Sequence, residues 1–260
     1  MSSYTNKMTE QSRYTQCNAM HEYTRKDVSY PCVLDWAVSD TPQALDSMPL
    51  AHKQYWAKQH ISYELNEYGF RCGELSGEEQ PDSITFIGCS RTVGVGMPKS
   101  KTWTHQLSDQ LGLKEINLGI SAGSTDSAYR VYAAWQYVNR SPITCLLVPP
   151  PARIELVQQE TFVPVGNWTE SIPQDVLINN LLDPALNVVR TQRNIDAIKW
   201  IASQTNSKLL IIEHGWQRIA EDTNSKQFDN IKARDGIHGG AKWHKHILHQ
   251  FNNKLKEHTQ

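Results

Sequence analysis

No run in this 260-residue sequence approaches the roughly 20 consecutive apolar residues that a membrane-spanning helix requires, so no membrane partner is expected. Excess charge is lacking too. The 26 Lys and Arg against 27 Asp and Glu leave a formal net charge of -1, without the basic footprint that broad nucleic-acid binding needs. The first thirty residues are polar and hold no apolar signal-peptide core, which makes the cytoplasm the expected setting. In that setting the sequon Asn167-Trp168-Thr169 reads as coincidence. Cysteine is sparse: Cys17, Cys32, Cys72, Cys89 and Cys145 are odd in number, scattered and free of any CxxC pair, which points to reduced thiols. His238, His244, His246 and His249 crowd the C-terminal region without a compact ligand pattern, so neither a metal nor a cofactor is expected.

What the sequence does have is an apolar run that stops abruptly. Ile84-Thr85-Phe86-Ile87 is short, β-branched and aromatic, as a buried strand is, and Gly88-Cys89-Ser90-Arg91-Thr92-Val93-Gly94-Val95-Gly96 then supplies small residues for a sharp turn. That places Ser90 at the carboxyl end of a strand, where open α/β sheets carry their chemistry. Further strands are read at 116–120, 143–148 and 209–212. They alternate with helical patterns at 102–111, after Thr125, at 188–201, and at Trp243, Ile247, Phe251 and Leu255. The alternation predicts an α/β chain with a mostly parallel sheet covered on both sides.

Before the central run, Met1 to about Asp27 reads as a loosely attached polar tail. Residues 30–56, with Trp36, Leu45, Tyr55 and Trp56, read as an arm packed on the core or covering a pocket. Residues 1–80 are thus expected to be tail and arm, and 81–260 the main domain. Residues 152–184 resist placement and read as a surface excursion or lid.

Three segments resemble the blocks of the SGNH, or GDSL-type, hydrolases. Gly88-Cys89-Ser90-Arg91-Thr92-Val93-Gly94 is similar to the Gly-Asp-Ser block, Asn117-Leu118-Gly119-Ile120-Ser121-Ala122-Gly123 to the second block, and Asp235-Gly236-Ile237-His238 to the terminal Asp-x-x-His. Asn66-Glu67-Tyr68-Gly69-Phe70-Arg71 also looks like a segment that precedes the nucleophile in larger relatives. The resemblance spans roughly residues 66–250. It departs from the family twice: Cys89 stands where the family has Asp, and Val148-Pro149-Pro150-Pro151-Ala152-Arg153 replaces the third block with its oxyanion asparagine.

The resemblance implies a three-layer α/β/α sandwich with a five-stranded, flavodoxin-like sheet. It also implies a triad of Ser90 as nucleophile, His238 as base and Asp235 as the group that orients the imidazole. The oxyanion donors it implies are the Ser90 amide and a glycine of the second block, Gly123 or alternatively Gly119. Arg153 is a candidate for a substrate carboxylate or phosphate, for the oxyanion, or for a surface ion pair near Glu155. Arg91 and His214 are further candidates for substrate contact, and Cys89 reads as a buried small residue. The expected activity is hydrolysis of a small-molecule or carbohydrate ester, acetyl or another short acyl, through an acyl-enzyme. Acyl transfer from the same serine is one alternative, and an inactive carbohydrate-binding or assembly protein on the same scaffold is the other.

Overall fold

The computed structural model describes residues 29–158, 161–213 and 232–257. The polar tail lies outside them. The described chain begins with the arm, in which β1 (Cys32–Leu34) pairs antiparallel with β2 (Tyr63–Leu65). Between them run α1 (Pro42–Asp46) and α2 (Leu50–Trp56). Helix α1 starts where it does because the Thr41 hydroxyl accepts the Ala44 amide and Pro42 fits the first turn, where no amide donor is needed. Trp56, Ile61 and Tyr63 are buried together with Met97 and Ala233. The arm therefore packs on two loops of the body rather than on the sheet.

The body is a four-stranded, wholly parallel sheet of β3 (Ser83–Ile87), β4 (Lys114–Asn117), β5 (Ile143–Leu147) and β8 (Lys208–Ile212), in the order β4-β3-β5-β8. Every residue of β3 is buried, as in a strand covered on both faces, and its two polar members, Ser83 and Thr85, are satisfied by hydrogen bonds to Ser141. Alternate side chains feed two cores. Ile84, Phe86, Cys145 and Leu210 meet α4 (Trp103–Leu111) and α7 (Ala241–Glu257). Ile87, Ile116 and Leu146 meet α5 (Thr125–Asn139) and α6 (Pro184–Gln204). Three layers result.

On the first face Phe86 meets Trp103 edge-on at 5.1 Å and Trp103 stacks on Phe251 at 4.7 Å. Such pairs contribute about 0.5–1.5 kcal/mol each beyond the area they bury, and here they fix α4 and α7 against β3.

Two expectations are corrected. Among the described residues the sheet has four strands, not five. The second strand stops at Asn117 instead of running to Ile120: there the Asn117 side chain donates to Thr92 O at 2.8 Å and accepts the Gly119 amide at 3.0 Å, while the Leu118 and Ile120 amides still donate to Phe86 O and Gly88 O at 2.8 and 3.0 Å. The unplaced excursion contains an antiparallel hairpin, β6 (Arg153–Gln158) and β7 (Thr161–Gly166), whose Ile154 and Val165 bury against Leu177 and Leu182. Among the described residues no helix is long and apolar enough to cross a membrane.

The segment 66–71 has a clear physical task. Asn66 Oδ1 accepts the amides of Tyr68 and Phe70, folding a tight loop that buries Phe70 and aims Arg71 inward. The Arg71 guanidinium, 4.3 Å from the Tyr63 ring centroid, donates to Gly94 O and Ser62 O at 2.7 Å, Met97 O at 2.9 Å and Val93 O at 3.3 Å. A planar fork satisfies those carbonyls in a way that an ammonium cannot. Arg71→Gln is expected to cost about 2–4 kcal/mol in urea unfolding, because charge-assisted bonds are lost and buried carbonyls are left unpaired. Arg71→Lys should recover less than half of that loss. A fully stable Arg71→Gln variant would show that the clamp contributes nothing.

Candidate active site

Strand β3 lies at the point where the sheet order reverses, since its successor β4 is on one side and β5 on the other; ligands of open α/β sheets gather at the carboxyl ends beside such a point. The turn there admits no bulk. A Cβ on Gly88 would stand 2.3 Å from Thr92 Oγ1 and 2.7 Å from Leu147 O. Cys89 is extended, and Ser90 opens the short helix α3 (Ser90–Val93), so its amide has no acceptor within the helix. Cys89 itself is buried.

The second half of the site arrives on the loop before α7. Gly96 (φ 74°) accepts the Arg234 amide on its carbonyl at 2.9 Å, and a Cβ there would stand 2.9 Å from Ala233 Cβ. This close approach brings the two loops together. His238 Nε2 lies 2.7 Å from Ser90 Oγ, and His238 Nδ1 lies 2.5 Å from Asp235 Oδ2. Asp235 Oδ1 accepts the Ile237 and His238 amides at 3.0 and 3.1 Å. With Nδ1 donating to the carboxylate, Nε2 is free to accept the serine proton.

Asp235 carries a further donor that the sequence did not reveal. Ser39 Oγ, from the arm, donates to the same Oδ2 at 2.7 Å. Burial alone would raise the Asp235 pKa, but hydrogen bonds from His238 and Ser39 together with the imidazole charge bring it down to about 2. Its neighbour Arg234 donates from Nε and Nη2 to the buried Asp40 carboxylate at 2.7–3.1 Å, and from Nη2 to Asp35 O. Asp40 also accepts the Tyr63 hydroxyl at 2.6 Å, and that hydroxyl accepts the Gly96 amide at 2.8 Å. Arm, serine loop and histidine loop are thus joined through one carboxylate. In the sequence, Asp40 stands in Ser39-Asp40-Thr41-Pro42, which reads as an ordinary turn.

The glycines proposed as oxyanion donors are corrected by their own hydrogen bonds. Gly119 donates to Asn117 Oδ1 at 3.0 Å and Gly123 to Ile120 O at 2.9 Å, so both amides are used within the turn. Ala122 between them holds φ 59°, and among the described residues its amide has no partner.

Arg153 does not pair with Glu155, which is held by Arg130 at 2.6 Å and Ser127 at 2.7 Å. Arg153 lies instead over the Trp168 ring, and Arg91 beside the Trp243 ring. His214 falls outside the described residues. His244, from the histidine-rich region, is fully buried and accepts the Trp103 amide on Nδ1 at 3.1 Å; burial, with the charges of His238 and Arg71, pulls its pKa down to about 3. It is a neutral part of the core.

A cavity of about 400 Å³ opens between the arm, the serine turn and the turn after β4, lined among others by Trp36, Tyr63, Arg71, Val95 and Ile120; Ser90, Asp235 and His238 are not among its lining residues.

Scans of family models and of curated proteins give no match. Solved structures do show similarity. TesA aligns at 14% identity over 67% of this chain and 98% of its own, with a TM-score of 0.44. The esterase EstA from Pseudoalteromonas sp., inhibited by monoethylphosphonate, aligns at 15% over 68% and 97%, TM-score 0.37. Axe2, an acetylxylan esterase from Geobacillus stearothermophilus, aligns at 12% over 68% and 94%, TM-score 0.33. Similarity at this level carries no inference about activity.

The depressed Asp235 pKa has a consequence for stability. A folded value of about 2 lies below the ordinary 3.8, so the unfolded chain binds the proton more readily. The contribution is present in full above pH 3.8 and is lost as pH falls toward 2; its size is about 2 kcal/mol. Unfolding free energies of the parent protein and Asp235→Asn should therefore converge as pH drops through that window. Parallel curves would contradict the assignment.

Proposed function

We propose that this chain is a serine esterase of the SGNH, or GDSL-type, group that hydrolyses an ester through an acyl-enzyme. The observation that carries the reading is the unbroken line from Ser90 Oγ to His238 Nε2 at 2.7 Å and from His238 Nδ1 to Asp235 at 2.5 Å. A scaffold kept only for binding has no need of a buried carboxylate that is shared by an imidazole and a second hydroxyl.

In this mechanism Ser90 Oγ attacks the ester carbonyl carbon as His238 Nε2 takes its proton. The carbonyl oxygen becomes anionic and is met by the Ser90 amide. The second donor is the Ala122 amide, while Gly119 and Gly123 shape the turn that presents it. Collapse of the tetrahedral species breaks the bond to the alcohol, and the imidazolium protonates the leaving oxygen. Water then attacks the acyl-serine with His238 again as base, the acid leaves, and Ser90 regains its proton. Asp235 keeps the imidazole in the tautomer that accepts at Nε2, and stabilises its charge.

Single-turnover acylation with 4-nitrophenyl acetate tests the reading. Ser90→Ala should abolish acylation, Cys89→Ser should retain it, and Asp235→Asn should lower its rate by roughly 10²- to 10⁴-fold, the scale of positioned acid–base catalysis. Measuring unfolding on the same preparations separates lost enzyme, which lowers amplitude, from a damaged triad, which lowers rate. An unchanged rate in folded Asp235→Asn defeats the role assigned to Asp235.

A further inference from the structure

Two arginines stand at the carboxyl edge of the sheet, and among the described residues neither has a carboxylate counter-ion. Arg91 directly follows Ser90 on α3. Its guanidinium carbon lies 5.7 Å from the Trp243 ring centroid, and Trp243 stands in the first turn of α7, just beyond His238. Arg153 follows the proline run that leaves β5, and opens β6. The Glu155 amide on the same strand donates to Asp126 Oδ2 at 3.2 Å, at the start of α5, which holds this strand against the carboxyl edge of the sheet. The Arg153 guanidinium carbon lies 5.0 Å from the Trp168 ring centroid, and its Nη1 is buried with no hydrogen-bond partner.

Among the described residues neither arginine forms an ion pair. Three carboxylates of this edge are already engaged: Glu155 by Arg130 and Ser127, Asp126 by Asn194 and the Glu155 amide, and Asp235 by His238 and Ser39. Burial lowers the Arg91 pKa, Cys89 opposes that shift, and the Arg153 charge adds to it. A desolvated guanidinium donor with no acceptor costs far more than an exposed one, and two like charges add to that cost. An arrangement of this kind is relieved by an anion between them, which a guanidinium fork can bind with two parallel bonds.

We infer that Arg91 and Arg153 form an anion subsite beside Ser90, and that the ester attacked there carries a carboxylate or phosphate group. The inference rests on the esterase reading and names its substrate class. Each guanidinium also lies against an indole, Arg91 against Trp243 and Arg153 against Trp168, and the anion sits between the two cations. Binding there fixes the ester carbonyl relative to Ser90 Oγ, so the subsite acts on the efficiency of attack as well as on affinity.

Matched esters test this. Mono-4-nitrophenyl succinate against 4-nitrophenyl butyrate places the charge on the acyl side, 4-acetoxybenzoate against phenyl acetate places it on the alcohol side, and 4-acetoxyphenyl phosphate separates phosphate from carboxylate. In at least one pair the anionic ester should be preferred in kcat/KM by about 10- to 100-fold, the scale of one or two charge-assisted hydrogen bonds. That ratio should collapse toward one in Arg153→Gln and in Arg91→Gln. If a Gln variant fails to fold, the Lys variant at that position should lose part of the ratio, since the charge remains without the fork. Equal rates within every pair, or a preference that survives in both arginine variants, overturn the subsite and leave the esterase reading standing. If no ester is cleaved and no acyl-enzyme forms, the esterase reading fails. The subsite is then decided by calorimetric binding of 4-acetamidobenzoate, an uncleaved amide counterpart. Binding that Arg153→Gln abolishes supports it, and absent or unaltered binding overturns it.

Discussion

The Asp40 carboxylate, buried among Arg234, Tyr63 and the arm backbone, is the contact on which the rest of the site depends. An isolated carboxylate at that depth would be strongly unfavourable; here two guanidinium nitrogens and a phenol satisfy it, with the guanidinium stacked 3.8 Å over the Trp36 ring. Each partner belongs to a different part of the chain. Tyr63 carries the constraint on to Gly96 in the serine loop, and Arg234 is covalently next to Asp235. The separation of Ser90 and His238 in sequence is 148 residues, yet their side chains meet at hydrogen-bond distance because the Asp40 contacts, relayed through Tyr63, and the Gly96 carbonyl's bond to the Arg234 amide hold both loops in register.

That constraint changes the meaning of the N-terminal arm. An arm that merely covered apolar surface would be replaceable by any hydrophobic segment of the right size. This arm instead brings Asp40 to Arg234 and Ser39 to Asp235, while Trp56 Nε1 donates to Lys232 O at 3.2 Å in the same loop. The Asp235 carboxylate is thus held from two directions, by His238 and by a hydroxyl outside the sheet. The Arg71 clamp does for the serine loop what the arm does for the histidine loop. Rigid support on both sides is what a nucleophile needs if its hydrogen bond to the base is to persist before substrate arrives.

Much of this was legible in the residues, and the parts that were not share a cause. The buried strands announced themselves through short apolar runs, and the serine turn through Gly88 and the small residues after it. The order Ser90, Asp235, His238 pointed to three side chains that the structure joins by hydrogen bonds. Hydrogen-bond partners across long sequence separations are invisible to periodicity, so Ser39, Asp40 and Arg234 drew no assignment from the sequence. The same limit holds for the second-block glycines: glycine identity marks where a side chain cannot fit, not whether the amide is unengaged, and the structure engages the Gly119 and Gly123 amides within the turn. Pro164 masked the alternation of Phe162, Val163 and Val165 in β7, which hid the hairpin that presents Arg153.

The central claim is that Ser90, activated by His238, is the group that forms the covalent intermediate. The most direct measurement is a crystal structure of the protein after reaction with a small alkyl fluorophosphonate, together with peptide mapping of the adduct. The account predicts a phosphorus bonded to Ser90 Oγ, its free oxygen facing the amides of Ser90 and Ala122, with His238 still hydrogen-bonded to Asp235. An adduct on Cys89, or a folded protein that leaves Ser90 unmodified while the reagent has access to it, would contradict the account.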